Sequence, residues 1–230
     1  CDRRQRQMCI RDRCLVRIVR TKTTAELMED GNLSSLDIKC VVYAYKDPKL
    51  CAVAVNGGYT TEIDTLVSSN ERMLNLLNLA LSRDNNTLVL FNFVENHGKP
   101  MFDLAKQVCE KYGKEVYYIV GKTSVTEREV IRSKFANQSN IVLFASYGTF
   151  STGINVKNIH NLILAHPTVS IIRLLQSIGR VLRVVDGKTN ATLYDIVDDF
   201  SEGKKKKNHL YKQFIKLSLI HISEPTRLDV

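Results

Sequence analysis

From residue 87 onward the chain alternates short apolar runs with stretches whose apolar residues recur every three or four positions. That alternation constrains the fold more than any other feature. Residues 87–93 are an almost continuous apolar run, as expected of a strand covered on both faces. Residues 98–112 carry Met101, Leu104, Ala105, Val108 and Tyr112 on one stripe, with Gly113 as the stop. A strand follows at 116–120. Ser124-Val125-Thr126-Glu127 is a capping box opening a helix that reaches Phe135. Further strands are predicted at 140–145, 161–165 and 191–197, with a helix starting near Ser170 between the last two. Strands alternating with helices predict an α/β fold: a parallel sheet with helices on both faces. In such sheets ligands bind beyond the carboxyl ends of the strands.

Upstream, residues 23–31 read as a short helix closed by Gly31, and 38–45 as a strand rich in Val and Tyr. Residues 46–68 contain Asp47-Pro48 and Gly57-Gly58 and show no clear period, so loop and linker are expected there. A helix is expected over 71–83, with Met73, Leu76, Leu77 and Leu81 on one side. At 230 residues and 44% hydrophobic, the chain can bury one sizeable core together with a fragment of a second domain. It has no apolar run of membrane-spanning length and no signal-peptide pattern. A cytoplasmic location is expected, in the host cell if the gene belongs to a phage. Cys1, Cys9, Cys14, Cys40, Cys51 and Cys109 form no C-x-x-C pair and read as reduced thiols; no metal site is expected.

The two ends look foreign to the rest. Met8-Cys9-Ile10-Arg11-Asp12-Arg13 can be encoded by ATGTGTATAAGAGACAG plus one more base. Leu217-Ser218-Leu219-Ile220-His221-Ile222 can be encoded by CTGTCTCTTATACACAT plus one more base, and the two strings are reverse complements. They resemble the transposon end used in sequencing-library adapters. Residues 1–13 and 217–230 are therefore expected to be adapter-derived tails and are set aside in reading function. The tails carry +3 and −1 of the chain's net +9, leaving +7 in the middle, a balance that suits a polyanionic partner.

Two segments carry chemistry. In Gln176-Ser177-Ile178-Gly179-Arg180-Val181-Leu182-Arg183, the residues Gln176, Arg180 and Arg183 share one helix face, while Leu175, Ile178 and Leu182 share another at core spacing. Guanidinium groups present fixed donor forks suited to phosphate oxygens and keep their charge. On its own the run is equally well an ordinary solvated basic face. The second segment, 146–155, follows a predicted strand and is dense in hydroxyls and glycine. This composition suits phosphate, although a polar turn before a short helix is the plainer reading.

Taken together, the segments resemble the second RecA-like lobe of superfamily-2 helicases. Residues 88–99 are similar to motif IV, 146–160 to motif V, and 176–183 to motif VI with its Q-x-x-G-R-x-x-R pattern. The resemblance implies that Arg180 and Arg183 reach the γ-phosphate of an ATP bound between two lobes. It implies that Gln176, Gly153 and Asn155 lie near the nucleotide, and that Gly179 allows close packing at the helix. Ser146, Thr149, Ser151 and Lys99 would hold the nucleic-acid strand. The implied cofactors are ATP and Mg²⁺, held mainly by the first lobe; the implied partners are that lobe and DNA or an RNA–DNA hybrid. Tyr147, Asn155 and Ser177 depart from residues common in the family.

No G-x-x-x-x-G-K-[ST] occurs, and no acidic pair follows a strand in a way that would hold magnesium. The expected organisation is a first-lobe remnant and linker over 14–68, a RecA-like helicase C-terminal domain over 69–200, and the start of a helical extension over 201–216. The leading reading is the motor lobe of an ATP-dependent helicase in recombination, repair or replication, inactive alone. The alternatives are the same lobe of a restriction or remodelling translocase, a nucleic-acid-binding module that hydrolyses nothing, and, last, a small-molecule-binding doubly wound domain.

Overall fold

The computed structural model describes residues 30–153, 156, 158–167, 170, 177–184, 188–201 and 207–223. Six strands form one sheet: β1 (Ser35–Ala44), β2 (Thr87–Phe91), β3 (Glu115–Ile119), β4 (Ile141–Ser146), β5 (Asn161–Leu164) and β6 (Asn190–Asp199). Their order is β1-β6-β5-β2-β4-β3, and every neighbouring pair is parallel. Every residue of β2, β4 and β5 is buried, which explains the unbroken apolar runs: both faces of these strands are covered.

The helices are α1 (Pro48–Ser68), α2 (Asn70–Leu81), α3 (Lys99–Val108), α4 (Val125–Asn137), α5 (Tyr147–Gly153), α6 (residues 177–181) and α7 (His209–Ser223). On one face Leu88, Leu90 and Leu143 pack with Phe135 of α4, Phe150 of α5 and Val181 of α6. On the other, Val89, Phe91 and Phe144 pack with Leu77 of α2 and Met101 of α3. A third cluster joins Cys51 and Leu66 of α1 to Tyr45, Phe200 and Leu210 of α7.

Local signals behave as their chemistry requires. Ser124 Oγ accepts the Glu127 amide at 3.2 Å and opens α4. Gly113 stops its segment in the left-handed region at φ 60°. Between β2 and α3 the chain makes a single π turn, Val94–Gly98. Only glycine fits at 98, because a Cβ there would lie 2.2 Å from the Phe91 ring.

One expectation needs correction. Residues 46–68 are not loop: Asp47 accepts the Lys49 and Leu50 amides, Pro48 occupies the first turn, and α1 runs to Ser68. A kink at Gly58 (φ 76°) interrupts the helix, and its buried side mixes Glu62 and Thr65 with Cys51, Ala54, Ile63 and Leu66, so no clean apolar stripe is visible. The stretch expected to be a first-lobe remnant also supplies β1, which pairs with β6 residue for residue from Ser35–Asn190 to Ala44–Asp199. Most of the helix expected at 23–31 lies outside the described residues. α7 continues beyond residue 216 into the stretch read as an adapter tail. Among the described residues no helix is long and apolar enough to cross a membrane.

Candidate functional site

The strands place their carboxyl ends along one edge of the sheet, where Ser146, Thr149 and Lys99 lie; Arg183 lies instead beside Leu33, just before the start of β1. β4 ends in Ser146 and runs straight into α5. Ser146 Oγ accepts the Thr149 amide at 3.3 Å and lies 2.7 Å from the Thr149 hydroxyl, so the pair closes the amino end of α5. Both residues are almost fully buried. Tyr147, which stands where many relatives of this pattern have threonine, is buried and donates its hydroxyl to the His166 carbonyl at 2.9 Å. It thereby fastens α5 to the end of β5. Gly153 closes α5; the Ser151 side chain, Gln176 and Asn155 lie outside the described residues.

The arginine helix buries its apolar side, and it ends at Val181, two residues before Arg183. Ile178, Val181 and Leu182 are buried against Tyr147, Phe150 and Val156, leaving Arg180 and Arg183 partly exposed. The Arg180 guanidinium sits 5.6 Å from the Phe150 ring centroid, a cation–π contact that ties it to α5. Burial, followed by the charge of Arg183, lowers the Arg180 pKa, yet a guanidinium stays charged at neutral pH. The arrangement is thus two like charges, one on α6 and one just past its end, on a segment whose other side is locked in the core. A polyphosphate is the ligand such a pair suits.

A helicase conserved C-terminal domain model matches residues 68–185, about half of the chain. The chain belongs to this family, the second lobe of superfamily-2 helicases. It is 37% identical over 207 residues to the ATP-dependent DNA helicase UvsW of Enterobacteria phage T4, covering 88% of this chain and 40% of that protein. The crystal structure of T4 UvsW superposes with a TM-score of 0.68 at 34% identity, over 84% of this chain and 40% of that one. An ATP-dependent Type ISP restriction-modification enzyme, LlaBIII bound to DNA, shares the fold with a TM-score of 0.57 at 12% identity, over 86% of this chain and 14% of that one. The chain therefore spans about 40% of the length of the phage helicase it matches.

Three features of this helicase lobe lie outside what sequence spacing could find. Lys188 is buried and donates its ammonium to the Val181 carbonyl and, at 3.3 Å, to the Arg183 carbonyl. It caps the carboxyl end of the arginine helix, and burial pushes its pKa down to about 8. The segment before β1 braces the same place: Leu33 bridges Arg183, and the Ser34 amide donates to Leu182 at 2.8 Å. The third feature is a buried ion pair. Arg72 of α2 grips Asp198 through Nε (2.5 Å) and Nη2 (2.8 Å), and Nη2 also reaches the Ala165 carbonyl at 3.0 Å. Tyr45 donates to the same carboxylate at 3.0 Å. These bonds pin α2 to the carboxyl ends of β5 and β6.

The Asp198 carboxylate is taken up by Arg72 and does not cap the next helix. Asp199 accepts the Ser201 amide and Lys207. Glu62 of α1 caps α7 instead, accepting the His209 and Leu210 amides at 2.9 Å each. Gly179 is exposed, and a Cβ there would meet nothing within 4 Å among the described residues. Lys99 lies exposed at the start of α3, 2.5 Å from Asp103. His166 is buried at the end of β5, and among the described residues no group of His, Cys, Asp and Glu could hold a metal ion.

Proposed function

We propose that this lobe is one half of an ATP-driven motor that moves along DNA or an RNA–DNA hybrid. ATP would lie across the cleft between this lobe and the first lobe, which would supply the phosphate-cradling loop and the magnesium ligands. The donor set of this lobe is cationic, which suits phosphate rather than metal. Arg180 and Arg183 would neutralise charge building on the γ-phosphate as it leaves. Such arginines accelerate hydrolysis by roughly 10³–10⁵ in related phosphoryl transfers. Gln176, Gly153, Asn155 and Gly179 would border the nucleotide. The amino end of α5, with Ser146, Thr149 and Ser151, together with Lys99, would follow the nucleic-acid backbone.

The observation that carries this reading is the arginine helix itself. Its apolar side is fixed in the core beside α5, Lys188 and Leu33 hold its carboxyl end, and its two guanidinium groups remain at the surface. A pure binding module has no use for a charge pair so rigidly mounted. The test is ATP hydrolysis by the purified 230-residue chain, expected to be undetectable. A clear signal that Arg183→Ala abolishes would overturn the division of labour between lobes.

A further inference from the structure

The central strand β2 ends in an aromatic residue that the motif reading leaves unused. Phe93 lies two residues beyond Phe91, which stands opposite Ser146 in the β2–β4 ladder. It is 44% exposed at the carboxyl edge, where Phe91, Tyr147 and Phe150 are buried and Tyr118, which donates to the Val94 carbonyl, is half-buried. Its setting is rigid. The Phe93 carbonyl accepts the Gly98 amide at 2.9 Å and closes the π turn, a type of element found disproportionately at functional sites. Its ring meets the His166 ring edge to face, with centroids 5.1 Å apart and planes at 80°. His166 is itself fixed, with Nδ1 2.8 Å from the Pro167 carbonyl and its own carbonyl accepting from Tyr147.

We propose that Phe93 is a stacking platform for one base of a single-stranded nucleic acid. This rests on the nucleic-acid reading above and adds to it a specific contact. An aromatic ring held upright on a firm neighbour offers a flat apolar surface without first having to be ordered. The chemistry around it favours a base over a phosphate or another protein. Glu95 and Asn96 of the same turn are exposed beside it, so a phosphate would meet a carboxylate there. Lys99, exposed at the start of α3, is the nearby group that suits a phosphate of the same strand. Base–aromatic stacking of this kind tolerates any sequence.

The chain contains no tryptophan, so Phe93→Trp supplies a single reporter. Binding of a fluorescein-labelled oligo(dT) is followed by anisotropy, and tryptophan emission is read with unlabelled oligo(dT) on the same protein. Emission is expected to be quenched as the site fills. Phe93→Ala and Phe93→Leu are each expected to weaken binding by about tenfold. The slope of log affinity against log salt should stay unchanged, because no phosphate contact is lost. Lys99→Ala serves as contrast and should flatten that slope by nearly one unit. Unquenched emission at saturation, or wild-type affinity in both Phe93 variants, overturns the inference while leaving the nucleic-acid reading intact. Absence of any binding by the wild-type chain removes that reading and this inference with it. Wild-type affinity combined with lost ATPase in the two-lobed protein would mean that Phe93 contacts the other lobe, and would also overturn it.

Discussion

Replacing Arg72 by methionine tests how the carboxyl edge is held together. The Arg72 and Asp198 side chains are each 1% exposed, and their two bonds of 2.5 and 2.8 Å form a bidentate pair. Burial disfavours the arginine's charge, but the Asp198 carboxylate outweighs it, and the net shift of the Arg72 pKa is upward. Removing the guanidinium leaves Asp198 with the Tyr45 hydroxyl as its remaining side-chain partner and deprives the Ala165 carbonyl of a donor. Breaking one side of a buried pair costs roughly 3–5 kcal/mol, and the orphaned carbonyl adds about 1 kcal/mol. The sum, about 5 kcal/mol, corresponds to a melting point lower by roughly 10–20 °C in a domain of this size. Urea unfolding followed by far-UV circular dichroism measures it. Because apolar replacement of a whole buried pair is often neutral, Arg72→Met with Asp198→Leu should recover most of the loss. The reasoning fails if Arg72→Met costs under 1 kcal/mol, or if the double variant loses as much as the two single losses combined.

Further expectations follow from other buried groups. Burial foremost, helped by the charge of Arg72, pushes the His97 pKa down to about 3, and burial pushes that of His166 down to about 4. The unfolded chain therefore binds more protons at these two sites as pH falls below about 6.5, and stability should fall by up to about 1.4 kcal/mol per pH unit for each. Asp195 acts oppositely: burial, then Asp198, raises its pKa to about 6, so it costs stability above that pH and relieves it between about 6 and 4. Asp195→Asn should raise stability at pH 8 by about 3 kcal/mol and steepen the acid loss; equilibrium unfolding at a series of pH values measures both. Lys188→Met removes the ammonium from the Val181 and Arg183 carbonyls, with an expected loss of about 1–3 kcal/mol and faster amide exchange across residues 177–184. Gly98→Ala should be among the costliest single changes, because its methyl would overlap the buried Phe91 ring; a melt within 2 °C of wild type, on the order of the shift from 1 kcal/mol, would contradict this.

The sheet was legible because its signals are local. Each apolar run of β2, β4 and β5 lies in a strand covered on both faces, and Gly113 and Ser124 act through their own neighbours. α1 was hidden because its run is broken at Gly58 and its buried side carries Glu62 and Thr65 among the apolar residues. Arg72 and Asp198 are 126 positions apart, and no periodicity joins a helix arginine to a strand-end carboxylate that far away. Lys188 could not be found by pattern, since its partners are main-chain carbonyls that every residue possesses. The arginine spacing of motif VI was visible, whereas what holds those arginines, from Phe150 on one side to Leu33 on the other, comes from the tertiary fold. Phe93 looked like one more apolar residue in a strand and proved to stand beyond its end.

The central claim is that Arg180 and Arg183 complete a nucleotide site whose other half lies on a first lobe. The most direct measurement is steady-state ATP hydrolysis by the two-lobed protein, with and without Arg183→Ala and with nucleic acid in excess. The account predicts that kcat falls by about 10³ or more while KM for ATP changes little, as for an interaction made chiefly in the transition state. A variant that keeps more than about a tenth of the wild-type kcat would contradict it, since the loss would then be under about 1.4 kcal/mol of transition-state stabilisation.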